Sequence, residues 1–187
     1  MNCSLINHLS SGCWKLAKET AEDLIYDAIV KCGVRHLDCA SDYGNEVEVG
    51  RGIKRAIDEG HVTREDLWVT SKLWNTYHHP EHVKLACERT LQDLQLTYVD
   101  LYSIHFPISL KFVPFEARYP PEWIHDPSAA NPRIELDFVP MASTWKAMDV
   151  LVGAGLCRHI GVCNVNVQLL MDLLGSAVIK PYANQVT

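Results

Sequence analysis

The stretch Arg35-His36-Leu37-Asp38-Cys39-Ala40-Ser41-Asp42-Tyr43-Gly44-Asn45-Glu46 joins a short apolar run to a helical pattern, and the connection carries a carboxylate and, five residues later, a phenol. Val34 to Asp38 reads as a brief strand. Glu46 to Glu59 reads as a helix with Val49, Gly52, Ile53, Ala56 and Ile57 on one side, and Gly60 stands where a C-cap glycine belongs. Asp38 therefore ends a strand, and Tyr43 lies in the loop that follows it.

The same alternation extends in both directions. Upstream, Thr20 signals a cap for a helix through Ala21, Leu24, Ile25, Ala28 and Ile29, with a weak strand before it somewhere in Ile6 to Gly12. Downstream come a strand at Leu67 to Ser71, a helix opened by Pro80 in its first turn, and a clear strand from Tyr98 to His105. Phe106 to Pro140 then breaks the pattern and holds seven of the nine prolines, a length typical of lids and binding loops. Alternation resumes with a helix through Ala147 and Leu151, a strand at His159 to Val162, a helix through Val167 and Leu174, and a strand at Tyr182 to Val186. No repeat or linker divides the chain, so a single domain is expected over residues 1–187.

Five or six βα units fit a parallel α/β protein. A closed (β/α)₈ barrel needs eight units and about 250 residues, whereas an open doubly wound sheet suits the length, and element count alone leaves both standing. The polar residues add a second criterion. Asp38, Lys72 and His105 each fall at or just past the end of an expected strand, where a parallel fold gathers distant residues on one rim. Taken singly, Asp38 and Lys72 read as a rim ion pair and His105 as a strand cap. Taken together with Tyr43 they describe carbonyl chemistry: a phenol donates a proton near neutrality only if its pKa is lowered, which a neighbouring ammonium does. Lys72 would supply that charge, Asp38 would orient Lys72, and His105 would hold the substrate oxygen.

With Gly12-Cys13-Trp14-Lys15, Thr70-Ser71-Lys72-Leu73-Trp74-Asn75 and Asp100-Leu101-Tyr102-Ser103-Ile104-His105-Phe106-Pro107 added to the opening stretch, the chain resembles the aldo-keto reductase family, nearest its aldose, xylose and polyol reductase branch. The Asp38–Tyr43–Lys72–His105 intervals of 5, 29 and 33 match that family's quartet. The resemblance implies a (β/α)₈ TIM barrel, here incomplete at about six of eight units and stopping before the C-terminal part. It implies NADPH, or NADH, as hydride donor to an aldehyde or aldose, with Tyr43 as the acid. It also implies that Asn164 and Gln185 hold the nicotinamide carboxamide with Cys163 and Trp14 beside them, and that Trp14, Trp74, Phe106 and His105 wall the substrate pocket. Cys163 stands where the family usually has Ser, and Thr187 where it has Glu. The polar Asn7-His8-Leu9-Ser10-Ser11 replaces an apolar first strand. An inactive, shortened relative that cannot hold cofactor is the competing expectation.

Bulk properties narrow the field. Of 187 residues 48% are apolar and 21% charged, with a net charge of −6 and no basic stripe, which argues against nucleic acid as partner. Seven cysteines without a C-x-x-C pair suggest reduced core thiols. No apolar run approaches the roughly 20 residues of a membrane span, and Met1 to Gly12 lacks a signal-peptide pattern, so a cytoplasmic protein is expected. A full-length form would be monomeric, while open barrel edges in a shortened one would favour association. His78, Glu81 and His82 spell H-x-x-E-H, but Pro80 would start a helix after His78 and part the two histidines, so no metal is expected. Gly50-x-Gly52 sits inside a helical pattern and reads as packing.

Overall fold

The computed structural model describes residues 9–186. Its elements run β1 (Ser10–Gly12), α1 (Lys18–Val30), β2 (His36–Asp38), α2 (Glu46–Asp58), β3 (Trp68–Leu73), α3 (Pro80–Leu94), β4 (Val99–Ile104), α4 (Met141–Gly153), β5 (Cys157–Cys163), α5 (Val167–Ser176) and β6 (Asn184–Gln185). All five strand pairings are parallel, and the spatial order is β1-β2-β3-β4-β5-β6. A doubly wound sheet reverses its order at a switch point. This sheet never does, so its architecture is six consecutive strands of a (β/α)₈ barrel. Every strand consequently ends on the same rim.

Local sequence explains most element ends. Pro80 begins α3, where its missing N–H costs nothing, and Asn166 caps α5 by accepting the Leu169 N–H at 2.9 Å. Gly60 follows α2 at φ +75°, a conformation glycine adopts without strain. Gly50 and Gly52 let α2 lie close to its neighbours. A Cβ would come within 2.6 Å of the Asp93 carbonyl at one and of the Glu22 carbonyl at the other. The core lies between sheet and helices, with Ile25, Ile53, Leu91, Val69, Tyr102 and Trp145 all buried in it.

Several expectations change. Thr20 does not cap α1, because the helix starts at Lys18 and the Thr20 hydroxyl turns back to donate to the Ala17 carbonyl at 3.3 Å. The polar Ser10-Ser11-Gly12 does form the first strand, paired with His36 to Asp38, since backbone pairing needs no apolar side chain. Asn7 and His8 lie outside the described residues, as do Cys3 and Thr187. The last strand is two residues long, and Tyr182 stays outside it. Strand β3 runs on to Leu73, so Lys72 is its penultimate residue. Cys13, Cys39, Cys87, Cys157 and Cys163 are buried free thiols, but Cys32 is exposed at the end of α1.

From Phe106 to Pro140 the chain has no helix or strand beyond one antiparallel bridge, Leu110 with Leu136. It is fastened to the rim at Asn75, whose carbonyl accepts the Leu110 N–H at 2.9 Å. His78 and His82 part company at Pro80. The first is buried against the Ser109 hydroxyl at 3.0 Å, and the second stacks on Phe112. Burial lowers the His78 pKa to about 4. No helix among the described residues is long and apolar enough to cross a membrane.

Candidate active site

Asp38 is the last residue of β2, Lys72 the last but one of β3, and His105 the first after β4. Tyr43 ends a 3₁₀ turn, Ser41–Tyr43, that Gly44 closes at φ +70°. The shared rim brings these four residues together. Lys72 Nζ donates to Asp38 Oδ1 at 2.7 Å, to the Cys39 carbonyl at 2.8 Å and to the Tyr43 hydroxyl at 3.1 Å. An ammonium has three donors and no acceptor, so all its protons are committed. The Tyr43 oxygen must accept in that contact, which leaves its own proton to point away from Lys72.

Electrostatics divide these groups. Burial works against the Lys72 ammonium, yet Asp38 and Tyr43 together hold its pKa above the ordinary value. Burial also raises Tyr43, and the charge and hydrogen bond of Lys72 oppose that rise without overcoming it. The expectation of a net lowered phenol is therefore corrected: desolvation of a half-buried ring exceeds the attraction of an ammonium already shared with Asp38. Burial and then Lys72 depress the His105 imidazole to about 3, so it is neutral at ordinary pH. Its ring meets Tyr43 edge-on, with centroids 6.0 Å apart, and stacks on Phe106 at 4.8 Å.

These side chains open onto a cavity of about 240 Å³ lined by Trp14, Asp42, Tyr43, His105, Phe106 and Trp123. Trp14 is 65% exposed, with Lys15 over its ring. Trp74 stands behind this lining. It is fully buried, packs edge-on against His105, Phe106 and Trp123, and donates its indole N–H to the Glu122 carbonyl at 3.1 Å. Two lining residues escape a reading by strand ends. Asp42 was visible only as the acidic neighbour of Tyr43. Trp123 was visible only as a lone tryptophan after Pro120-Pro121 in a rim loop. One oxygen of Asp42 is buried without a hydrogen-bond partner, and burial followed by nearby Glu122 raises its pKa to about 6.

Asn164 directly follows β5 and Gln185 ends the neighbouring β6, and the two are linked by the Asn164 N–H to the Gln185 carbonyl at 2.9 Å. Asn164 donates its side-chain amide to the His105 carbonyl at 3.0 Å, and Gln185 donates its own to Asp38 Oδ2, also at 3.0 Å. Asn164 sits at φ +58°, which asparagine tolerates better than most residues. Cys163 is buried beside them, its thiol pushed up to about 11 by burial.

The model of the "Aldo/keto reductase family" matches residues 6–187. The chain belongs to that family. Among curated aldo/keto reductases, an NAD(P)H-dependent D-xylose reductase of Candida tenuis is 51% identical over 182 residues, covering 97% of this chain and 55% of its own length. An NADPH-dependent aldose reductase of Saccharomyces cerevisiae is 49% identical, over 94% of this chain and 54% of its own length. A solved aldose reductase from Giardia lamblia superposes with a TM-score of 0.85 at 40% identity, covering 96% of this chain and 56% of that one. The chain thus spans about half the length of the aldo/keto reductases it matches.

Proposed function

We propose that this aldo/keto reductase chain serves an NAD(P)H-dependent reduction of an aldehyde or aldose to the alcohol, with Tyr43 as the proton donor. The observation that carries the reading is the three-way commitment of Lys72. Because its ammonium donates to Asp38, Cys39 and Tyr43 at once, the phenol keeps a proton free for a carbonyl oxygen in the cavity. As that oxygen gains charge, the proton moves to it, and Lys72, 3.1 Å away, stabilises the phenolate left behind. His105, neutral and at the cavity wall, would donate to the same oxygen and orient it. Phe106, Trp14 and Trp123 offer apolar faces that exclude water, with Trp74 as their backing.

Asn164 and Gln185 fit a nicotinamide, since two neighbouring amides carry the donors and acceptors that a carboxamide needs. Cys163, the residue before Asn164, would lie beside that position, and Trp14 would approach it from the cavity lining. When bound, a reduced nicotinamide supplies the hydride. The names of the relatives, NAD(P)H-dependent D-xylose reductase and NADPH-dependent aldose reductase, support NADPH, with NADH as the second donor. Asp42 suits a sugar-like substrate, because its unpartnered buried oxygen can accept from a hydroxyl beside the carbonyl.

The test is oxidation of NADPH, followed by its near-ultraviolet absorbance, with D-xylose and with an aromatic aldehyde. Tyr43→Phe is expected to lower kcat by about a thousandfold while NADPH binding, followed by cofactor fluorescence, stays unchanged. Equal rates for the two proteins would remove Tyr43 from the proposal.

A further inference from the structure

Irregular backbone leaves carbonyl groups that need donors, and the loop that carries Trp123 obtains most of its donors from one side chain. Arg118 donates through a single terminal nitrogen, Nη2, to the carbonyls of Pro121 and Ile124, and reaches that of His125 at 3.3 Å. These acceptors flank Trp123 on both sides in sequence. The carbonyl of Glu122, between them, is taken by the Trp74 indole. Glu122 itself sits at φ +57°, a conformation that side chains other than glycine seldom adopt without outside support.

Arg118 has a firm base of its own. Its backbone N–H donates to the Pro114 carbonyl at 3.2 Å, and the ring of the next residue, Tyr119, lies under the Arg89 guanidinium of α3 at 4.1 Å. Tyr119 also packs on Phe115, which packs on Tyr77. The Arg118 Nε is buried without a partner, so the hydrogen bonds its guanidinium makes to this loop run through Nη2. Its charge-assisted bonds outweigh neutral ones. The ring they fix in place, Trp123, meets Trp74 and Phe106 edge-on at 5.0 and 5.2 Å and lines the cavity.

We propose that Arg118 is a positioning residue that staples the loop around Trp123, and so sets how tightly the cavity grips a carbonyl compound. The staple stands on the loop geometry alone, whereas its effect on ligand grip rests on the reductase reading. The lysine variant separates bonding from bulk: Arg118→Lys places three donors on one nitrogen where Nη2 has two, while Arg118→Met keeps only the stem.

Two measurements test the proposal. First, without any ligand, acrylamide quenching of Trp123 is isolated as the difference between each protein and its Trp123→Phe counterpart. Arg118→Met should raise this quenching severalfold and Arg118→Lys should restore it, with circular dichroism verifying that both fold. Unchanged quenching in Arg118→Met overturns the staple. Second, para-nitrobenzaldehyde is titrated against total tryptophan emission, which needs no cofactor turnover. Arg118→Met should weaken binding about tenfold, the equivalent of one lost charged hydrogen bond, and should have no further effect in a Trp123→Ala background. An equal loss in that background overturns action through Trp123. Failure of the unmutated protein to bind the aldehyde overturns the pocket reading and the ligand effect, and the acrylamide result still decides the staple.

Discussion

Two carboxylates with cationic partners stand at opposite ends of the same sheet, Asp100 fully buried and Asp38 only partly so. Asp100, near the start of β4, receives Arg64 at 2.8 Å, Arg158 at 3.0 Å and the Val69 N–H at 2.9 Å. Both arginines also hold Tyr98, one through its carbonyl and the other through its hydroxyl. This cluster ties β3, β4 and β5 together, and none of its contacts opens on the cavity. Asp38, at the other end of the barrel axis, has Lys72 at 2.7 Å and Gln185 at 3.0 Å. Its cation passes a third hydrogen bond to a phenol that faces a cavity. The comparison teaches that a buried ion pair alone marks no site. What separates the two is whether the cation's remaining donor reaches a group with a proton to give, beside a space where a molecule can take it.

Three substitutions would break or sharpen that contrast. Lys72→Met should act mainly on rate, lowering kcat/KM by about three orders of magnitude, measured by NADPH oxidation while circular dichroism stays native. A loss below tenfold would make the upper pair as structural as the lower one. Asp100→Asn should do the reverse. Two arginines would lose their buried counter-charge, at a cost of about 3 kcal/mol in urea unfolding, while turnover per folded molecule stays within about twofold. Asp42→Asn should be the mildest. Its carboxyl is raised to about 6, so it is a charged acceptor above that pH and protonated below. KM for an aldose should therefore climb as pH falls through about 6, and the variant should lose that dependence and bind the aldose about fivefold more weakly. An unhydroxylated aromatic aldehyde should notice neither change. A KM for the aldose that stays flat across that range in the unmutated protein would remove Asp42 from substrate contact.

Much of the arrangement was legible because strand ends are legible. Pro80 marks a helix start through its own geometry, and a parallel fold sends every strand end to one rim, so Asp38, Lys72 and His105 could be grouped without coordinates. The helix at Lys18 was misread because a threonine three residues into a helix can bond back to the chain, as Thr20 does with Ala17, instead of capping it. The strand at Tyr182 shrank to two residues because β-branched and aromatic residues record a preference for half-buried surface, not a pairing. Trp123 and Asp42 were hidden for a different reason. One is held by a loop whose shape depends on Arg118 carbonyl contacts, and the other by a turn only three residues long, and neither leaves a periodic trace. The direction of the Tyr43 shift needed burial, which spacing does not contain.

The strictly sequential order of the strands has a consequence for assembly in time. Each strand docks on the one made just before it, so every chain closure is modest in length and in entropy. Asp38, Tyr43, Lys72 and His105 can meet once β4 has docked on β3. The partner of the second Asp38 oxygen, Gln185, lies 147 positions further along. On a ribosome the Asp38–Lys72 pair would thus exist for a time with that oxygen turned to water, until β6 docks and Gln185 reaches it.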